Sequence, residues 1–166
     1  MSLSKIPRDI TVFVDANIFI YHLYGTGTLK ELCSTFFDQM PHKNIKAVTS
    51  AVITMEVIHR AIVQEAAQKL DLRGGKLTQY LKENPEFIKS LTRHREIAST
   101  IYKLGVSIEQ ITYVHIHGSR KIRDDYGLMA NDSLIIAFMQ KHKISHLVTN
   151  DGDFKRIPDI TVWLPR

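Results

Sequence analysis

The stretch Met129-Ala-Asn-Asp-Ser-Leu-Ile-Ile-Ala137, followed by Leu147-Val-Thr-Asn-Asp-Gly-Asp-Phe154, decides the fold. In the first segment, Asn131 and Asp132 are typical of a helix start, and the apolar residues after them predict a buried helix. The second segment continues a short apolar run that predicts a strand, and this strand ends in a polar, acidic turn. Open α/β sheets place their sites beside acids at the carboxyl ends of strands.

Working outward, the chain alternates apolar runs that predict strands with longer segments that predict helices. The predicted strands are residues 10–14, 45–49, a short piece within 107–114, 144–148 and 160–164. The predicted helices are residues 18–24, 29–40, 51–72 with Ser50 as its cap, 76–86, 87–104 and a polar helix or loop at 116–126. This alternation predicts an α/β fold, with a mostly parallel sheet of about five strands covered by helices on both faces.

The composition is that of a globular protein. With 166 residues, 44% hydrophobic and 23% charged, we expect residues 1–166 to form a single domain. No apolar run approaches the roughly 18 residues of a membrane span, and the first nine residues lack a signal-peptide core. We therefore expect a cytoplasmic protein with no membrane partner. Cys33 is the only cysteine, which excludes an internal disulfide or a thiolate zinc cage and predicts a small core residue.

Basic residues give the chain a net charge of +5, which is compatible with an anionic partner such as nucleic acid. Many of them gather between about residues 70 and 95, where two amphipathic segments predict a helical arm projecting from the sheet. A solvated helical face has the same pattern. The candidate RNA-binding residues are Arg73, Lys76, Arg93, Arg95, Arg120, Lys121 and Arg123.

Five acids are predicted to meet at one edge of the sheet. Asp15 and Asp151 end apolar strands, Glu56 and Asp132 lie near helix starts, and Asp153 follows Asp151 by two residues. In a parallel sheet these positions converge. Converging carboxylates raise one another's pKa unless a cation is present, and Mg²⁺ or Mn²⁺ are the hard ions that oxygen ligands prefer. Taken alone, Glu56 is equally typical of a residue that compensates the helix dipole.

Such a carboxylate cage beside a basic surface suits phosphodiester hydrolysis. A bound ion lowers the pKa of an attacking water and stabilises charge on the leaving oxygen, while lysines and arginines hold flanking phosphates. This pattern by itself does not distinguish a nuclease from a phosphatase.

Four ordered motifs make the interpretation more specific. They are Asp15-Ala-Asn17 after a strand, Glu56 near the start of the next long helix, Asn131 to Ala137, and Thr149-Asn-Asp-Gly-Asp-Phe154. Together they resemble the acidic motifs of the PIN-domain family, and closely those of its VapC-like toxin branch. The resemblance covers nearly the whole chain.

The resemblance implies a three-layer PIN-like fold with sheet order 3-2-1-4-5 and a metal-dependent endoribonuclease that uses Mg²⁺ or Mn²⁺. It also implies RNA as substrate, a homodimer and a small antitoxin partner. The implied catalytic and metal-binding residues are Asp15, Glu56, Asp132 and Asp151, with Asp153 as a further metal ligand and with Asn17 and Thr149 supporting the ligands.

The compact toxins of that branch tend to be shorter than this chain, and the extra length lies between about residues 70 and 95. An RNA-processing enzyme or a dimer contact would explain this extra segment equally well. Two other functions stay open at this point: a non-catalytic RNA-binding PIN-like scaffold, and a metal-dependent phosphatase. The pair His115 and His117 has a spacing that ligates metal on a strand, but no further His or Cys cluster supports such a site. We interpret the pair as surface histidines.

Overall fold

The computed structural model describes all of residues 1–166 and contains one five-stranded parallel sheet. The strands are β1 (Thr11–Val14), β2 (Lys46–Ser50), β3 (Val106–Glu109), β4 (His146–Val148) and β5 (Thr161–Trp163). Their order is β3-β2-β1-β4-β5, and every neighbouring pair is parallel. The predicted fold and sheet order are confirmed. That the chain forms a single domain stays a prediction.

Eight helices flank the sheet, with short 3₁₀ helices at Leu3–Lys5 and Asp153–Arg156. The helices are α1 (Ala16–Tyr24), α2 (Gly27–Gln39), α3 (Ala51–Leu70), α4 (Gly74–Glu83), α5 (Pro85–Ser90), α6 (Ile97–Lys103), α7 (Tyr113–Tyr126) and α8 (Ala130–Lys141). Ser50 caps α3 as predicted, because its hydroxyl accepts the backbone N–H of Ile53 at 3.2 Å. No helix combines the length and apolar character that crossing a membrane requires.

The buried side chains form two separate clusters. The larger one holds 36 residues around the sheet, including Phe13 of β1, Phe138 of α8 and the predicted core residue Cys33. The smaller one holds Ala66, Leu77, Leu81 and Leu91, and it lies where α3, α4 and the residues after α5 meet. The segment that we predicted as a helical arm therefore has a small apolar core of its own.

Two predicted elements are wrong in detail. The helix predicted over residues 87–104 is two helices, α5 and α6, because residues 91–96 between them leave the helical path and bind Glu65 of α3. The histidine pair, which we interpreted as surface histidines, lies on helix α7, and only His117 is exposed. His115 is buried, and its Nδ1 accepts the backbone N–H of Thr112 at 3.0 Å to cap that helix.

Candidate active site

Asp15 lies at the carboxyl edge of the sheet, where β1 ends and α1 begins. The residue is only 8% exposed. Its Oδ1 accepts the backbone N–H of Ala16 at 2.6 Å, and its Oδ2 accepts both the Asn17 side-chain amide and the Thr149 hydroxyl at 2.6 Å. The carboxylate is therefore held by the start of α1 and by the residue that follows β4.

Burial is the main cause that raises the pKa of Asp15, which reaches about 6. The hydrogen bonds from Thr149 and Ala16 act in the opposite direction, and the negative charges of Glu56 and Asp132 raise the pKa further. A carboxylate shifted in this way costs free energy when it is ionised without a cation nearby.

Thr149, which follows β4, connects the two central strands and the acidic turn. Its fully buried side chain donates to Asp15 and accepts from the Asn17 amide and from the backbone N–H of Asp151, both at 3.0 Å. Asn17 Oδ1 also accepts the backbone N–H of Asn150 at 2.9 Å. The two residues therefore fix the loop that carries Asp151 against the start of α1.

Asp132 lies in the first turn of α8 and is half-buried. Burial is again the main cause that raises its pKa, followed by the charges of Asp151, Glu56 and Asp153. The charges that act on Asp132 therefore come from α3 and from the acidic turn after β4. Neighbouring carboxylates with raised pKa values are typical of functional sites.

Glu56 and Asp153 lie at the rim, and each pairs with an arginine. Glu56 Oε1 is 2.7 Å from Nη2 of Arg60 on the same helix, and Asn131 donates to Glu56 Oε2 at 3.5 Å. Asp153 Oδ1 is 2.6 Å from Nη2 of Arg156, and the backbone N–H of Asp153 donates to Asp151 at 2.8 Å. We did not foresee Arg60, although its spacing of four residues from Glu56 is the usual signal for a pair on a helix.

The chemistry of the acids fits a hard divalent cation. No three His, Cys, Asp or Glu side chains in the structure are placed around a common metal position. Carboxylate oxygens are nevertheless the donors that Mg²⁺ and Mn²⁺ prefer. One oxygen of the Glu56 carboxylate, Oε1, is paired with Arg60, so Arg60 competes with an ion for this acid.

The basic residues of the arm surround the small apolar cluster. Arg73 and Lys76 are exposed at the start of α4. Arg93 donates to the side chain of Gln68 at 2.7 Å, and its guanidinium lies 5.9 Å from the centre of the Tyr24 ring. The remaining arm residue, Arg95, is also exposed and donates to two backbone carbonyls.

The three basic residues of α7 differ in their surroundings. Arg120 and Lys121 are exposed and pair with acids one turn later, Lys121 with Asp125 at 2.7 Å. Arg123 is half-buried and donates to the hydroxyls of Ser119 and Ser133, at 2.8 and 3.1 Å. Arg123 therefore joins α7 to α8 through Ser133, the residue that follows Asp132.

Comparison with known proteins agrees with this fold and motif order. The family model of the PIN domain matches residues 12–160. Ribonuclease VapC2 of Methanocaldococcus jannaschii is 30% identical over 148 residues, which is 88% of each chain.

Solved structures share the fold at lower sequence identity. A chain of a toxin–antitoxin complex from Klebsiella pneumoniae is 21% identical, with a TM-score of 0.58 and coverage of 93% of this chain and 98% of that one. Mycobacterium tuberculosis VapC20, described as a toxin that cleaves the sarcin–ricin loop, is 14% identical, with a TM-score of 0.59 and coverage of 87% and 92%. On the family match and the VapC2 relationship, the chain belongs to the PIN-domain family, in its VapC-like branch.

Proposed function

We propose that this protein is an endoribonuclease that depends on Mg²⁺ or Mn²⁺ and hydrolyses phosphodiester bonds of RNA. One observation carries the proposal: acids from four separate elements converge at one sheet edge, and the two whose pKa values are raised, Asp15 and Asp132, are influenced by the other acids. A site of this kind requires a cation to be stable when ionised. The ribonuclease name of the VapC2 relative supports RNA as the substrate.

In this proposal Asp15, Glu56, Asp132 and Asp151 hold the ion, with Asp153 as a further ligand at the rim. The ion, when bound, lowers the pKa of the attacking water and stabilises charge on the leaving oxygen. The protein contributes a fixed position for the most buried ligand. Asn17 and Thr149 carry out this supporting role, because they direct their donors at Asp15 Oδ2.

The basic residues would hold the substrate by its phosphates. The exposed side chains of α4, of the loop after α5 and of α7 are the ones available for such contacts, while Arg123 acts through its position between α7 and α8. The residues proposed to contact RNA phosphates are Arg73, Lys76, Arg93, Arg95, Arg120 and Lys121, and Arg123 supports RNA binding by holding α7 against α8.

We further propose that the protein acts in the cytoplasm as the toxin of a toxin–antitoxin pair, that it forms a homodimer, and that a small antitoxin blocks its site. Its relatives support the toxin and antitoxin parts of this proposal. One similar structure is a toxin–antitoxin complex from Klebsiella pneumoniae, and another is VapBC2 from Rickettsia felis bound to a fragment of promoter DNA.

The test is incubation of the purified protein with end-labelled RNA and Mn²⁺, with and without a chelator, in parallel with a small phosphomonoester. We expect internal cleavage of the RNA with Mn²⁺ in the absence of chelator and no cleavage when the chelator is present. We expect no hydrolysis of the phosphomonoester in either case. Intact RNA in every lane, with RNA binding retained, would instead identify a non-catalytic scaffold. Release of phosphate from the phosphomonoester alone would identify a phosphatase.

A further inference from the structure

Two arginines pair with acids of the candidate active site, and they are held very differently. Arg156 binds Asp153 by its side chain and also donates to the backbone carbonyls of Asp153 and Tyr126, at 2.9 and 3.5 Å. Arg60 has one polar partner, the Glu56 carboxylate at 2.7 Å. Its side chain is 51% exposed, so most of its five N–H donors face solvent.

Glu56 interacts both with Arg60 and with the other acids. Its side chain is 23% exposed, and its charge contributes to the raised pKa values of both Asp15 and Asp132. Among the four principal acids, only Glu56 pairs with a basic side chain, and that side chain is Arg60.

We propose that Arg60 exchanges partners during the binding of ion and substrate. Without an ion, its guanidinium neutralises Glu56. When a divalent cation takes the Glu56 carboxylate, Arg60 is released and binds a phosphate of the RNA beside the scissile bond. This inference rests on the proposed function, and it adds a substrate-binding residue whose availability depends on the ion.

Charge and space both support the exchange. A divalent ion among several carboxylates attracts Glu56 more strongly than one partly solvated guanidinium does. A guanidinium also matches the planar, two-point geometry of a phosphate. Arg60 lines a cavity of about 340 Å³ between α1 and α3, together with Ile20, His59, Val63 and Gln64. This cavity is open to solvent, so a phosphate can reach the Arg60 side chain from outside the protein.

The test measures the affinity of a short fluorescent RNA by anisotropy, in chelator and in Ca²⁺, with a gel that confirms intact RNA. The variant is Arg60→Gln, and Arg156→Gln is the matched control because it removes the same charge from the other rim. In chelator we expect both variants to stay within about twofold of the wild type. In Ca²⁺ we expect Arg60→Gln to weaken RNA binding about tenfold, which corresponds to the loss of one charged hydrogen bond. We expect Arg156→Gln to weaken it by about twofold only.

A second arm needs no RNA. By calorimetry, Arg60→Gln should bind Mn²⁺ about two- to fivefold more tightly than the wild type, because the ion no longer competes with a guanidinium for Glu56. Arg60→Lys, which keeps the charge, should bind Mn²⁺ as the wild type does and restore part of the RNA affinity.

The exchange is overturned if Arg60→Gln weakens RNA binding by the same factor with and without the ion, if it has no effect with the ion, or if its Mn²⁺ affinity is unchanged. Cleavage of RNA by the wild type with Mn²⁺ is measured alongside. If the wild type cleaves RNA and any of these results is found, only the exchange is contradicted. If the wild type does not cleave RNA, the proposed function itself is contradicted.

Discussion

Two buried carboxylates of this protein have opposite electrostatic properties. Asp15 of the candidate active site is 8% exposed, and its pKa is raised to about 6. Glu65 of α3 is 3% exposed, and its pKa is lowered to about 2. Both acids accept three hydrogen bonds or ion pairs of good geometry. Burial alone therefore does not decide which form of a buried acid the protein favours.

The difference lies in the charges around each acid. Burial would raise the pKa of Glu65, but Lys69 at 2.9 Å and the backbone N–H groups of Arg93 and Thr92 outweigh it. Asp15 has no cation among its neighbours, and the nearby charges of Glu56 and Asp132 are negative. The fold itself supplies the positive charge that stabilises the ionised form of Glu65, whereas no basic side chain contributes to the pKa of Asp15. The first arrangement is structural, and the second is typical of a metal site.

The largest expected difference between the two acids is in activity. Asp15→Asn removes the most buried proposed ligand, and we expect it to lower the rate of RNA cleavage by more than about 100-fold. Such a loss is larger than the usual loss on mutating a residue that only hydrogen-bonds to a metal ligand. Glu65→Gln, measured on protein shown to be folded by circular dichroism, should cleave at nearly the wild-type rate. Cleavage by Asp15→Asn at the wild-type rate would remove Asp15 from the mechanism.

The second difference is in stability. Glu65→Gln should lower the free energy of unfolding by about 2 to 4 kcal/mol, because the backbone N–H groups of Thr92 and Arg93 and the charge of Lys69 lose their anionic partner. The measurement is urea unfolding followed by circular dichroism. Glu86→Gln, which breaks an exposed pair with Lys89, is the control and should change stability by less than about 0.5 kcal/mol. Equal effects of the two variants would contradict the structural role of Glu65.

The third difference is in pH dependence, measured in chelator. Between about pH 4 and 6 the folded protein binds more protons at Asp15 than the unfolded chain does, so stability falls as the pH rises through this window. Lowering the pH from 7 to 4 should therefore stabilise the wild type by about 2 kcal/mol relative to Asp15→Asn, whose amide does not titrate. A constant difference between the two proteins across this range would contradict the raised pKa.

Glu65 has the opposite sign. The unfolded chain binds more protons at this residue between about pH 4.5 and 2, so its contribution to stability is present above that window and is lost as the pH falls through it. The wild type should therefore lose stability relative to Glu65→Gln below about pH 4. The same unfolding series, extended to acid pH, measures this loss.

The sheet and the acids could be predicted because their signals are local. Asp15 directly follows the apolar run of β1, and Asp132 and Asp151 lie beside a helix and a strand with clear apolar patterns. Once the strands are parallel, their carboxyl ends share one edge. The sheet order itself came from the family resemblance rather than from these patterns.

Contacts between distant residues could not be predicted in this way. The helix predicted over residues 87–104 breaks at residues 91–96 because Glu65, 27 residues before Thr92, accepts backbone N–H groups there. His115 is buried on α7, where its ring packs 5.2 Å from that of Phe138, and the pattern His-Ile-His contains no sign of this packing. Both features depend on tertiary neighbours that local propensity does not encode.

The smallest expected effect tests the central claim most directly, namely that the candidate active site is a crowded anionic cage that requires a cation. The measurement is the melting temperature of wild type and Asp132→Asn, in chelator and with added Mn²⁺. Because burial and three other acids raise the pKa of Asp132, the variant should melt about 2 to 4 °C higher than the wild type in chelator and gain less from Mn²⁺. A lower melting temperature of Asp132→Asn in chelator, with an undiminished gain from Mn²⁺, would contradict the cage and identify Asp132 as a residue that stabilises the start of α8.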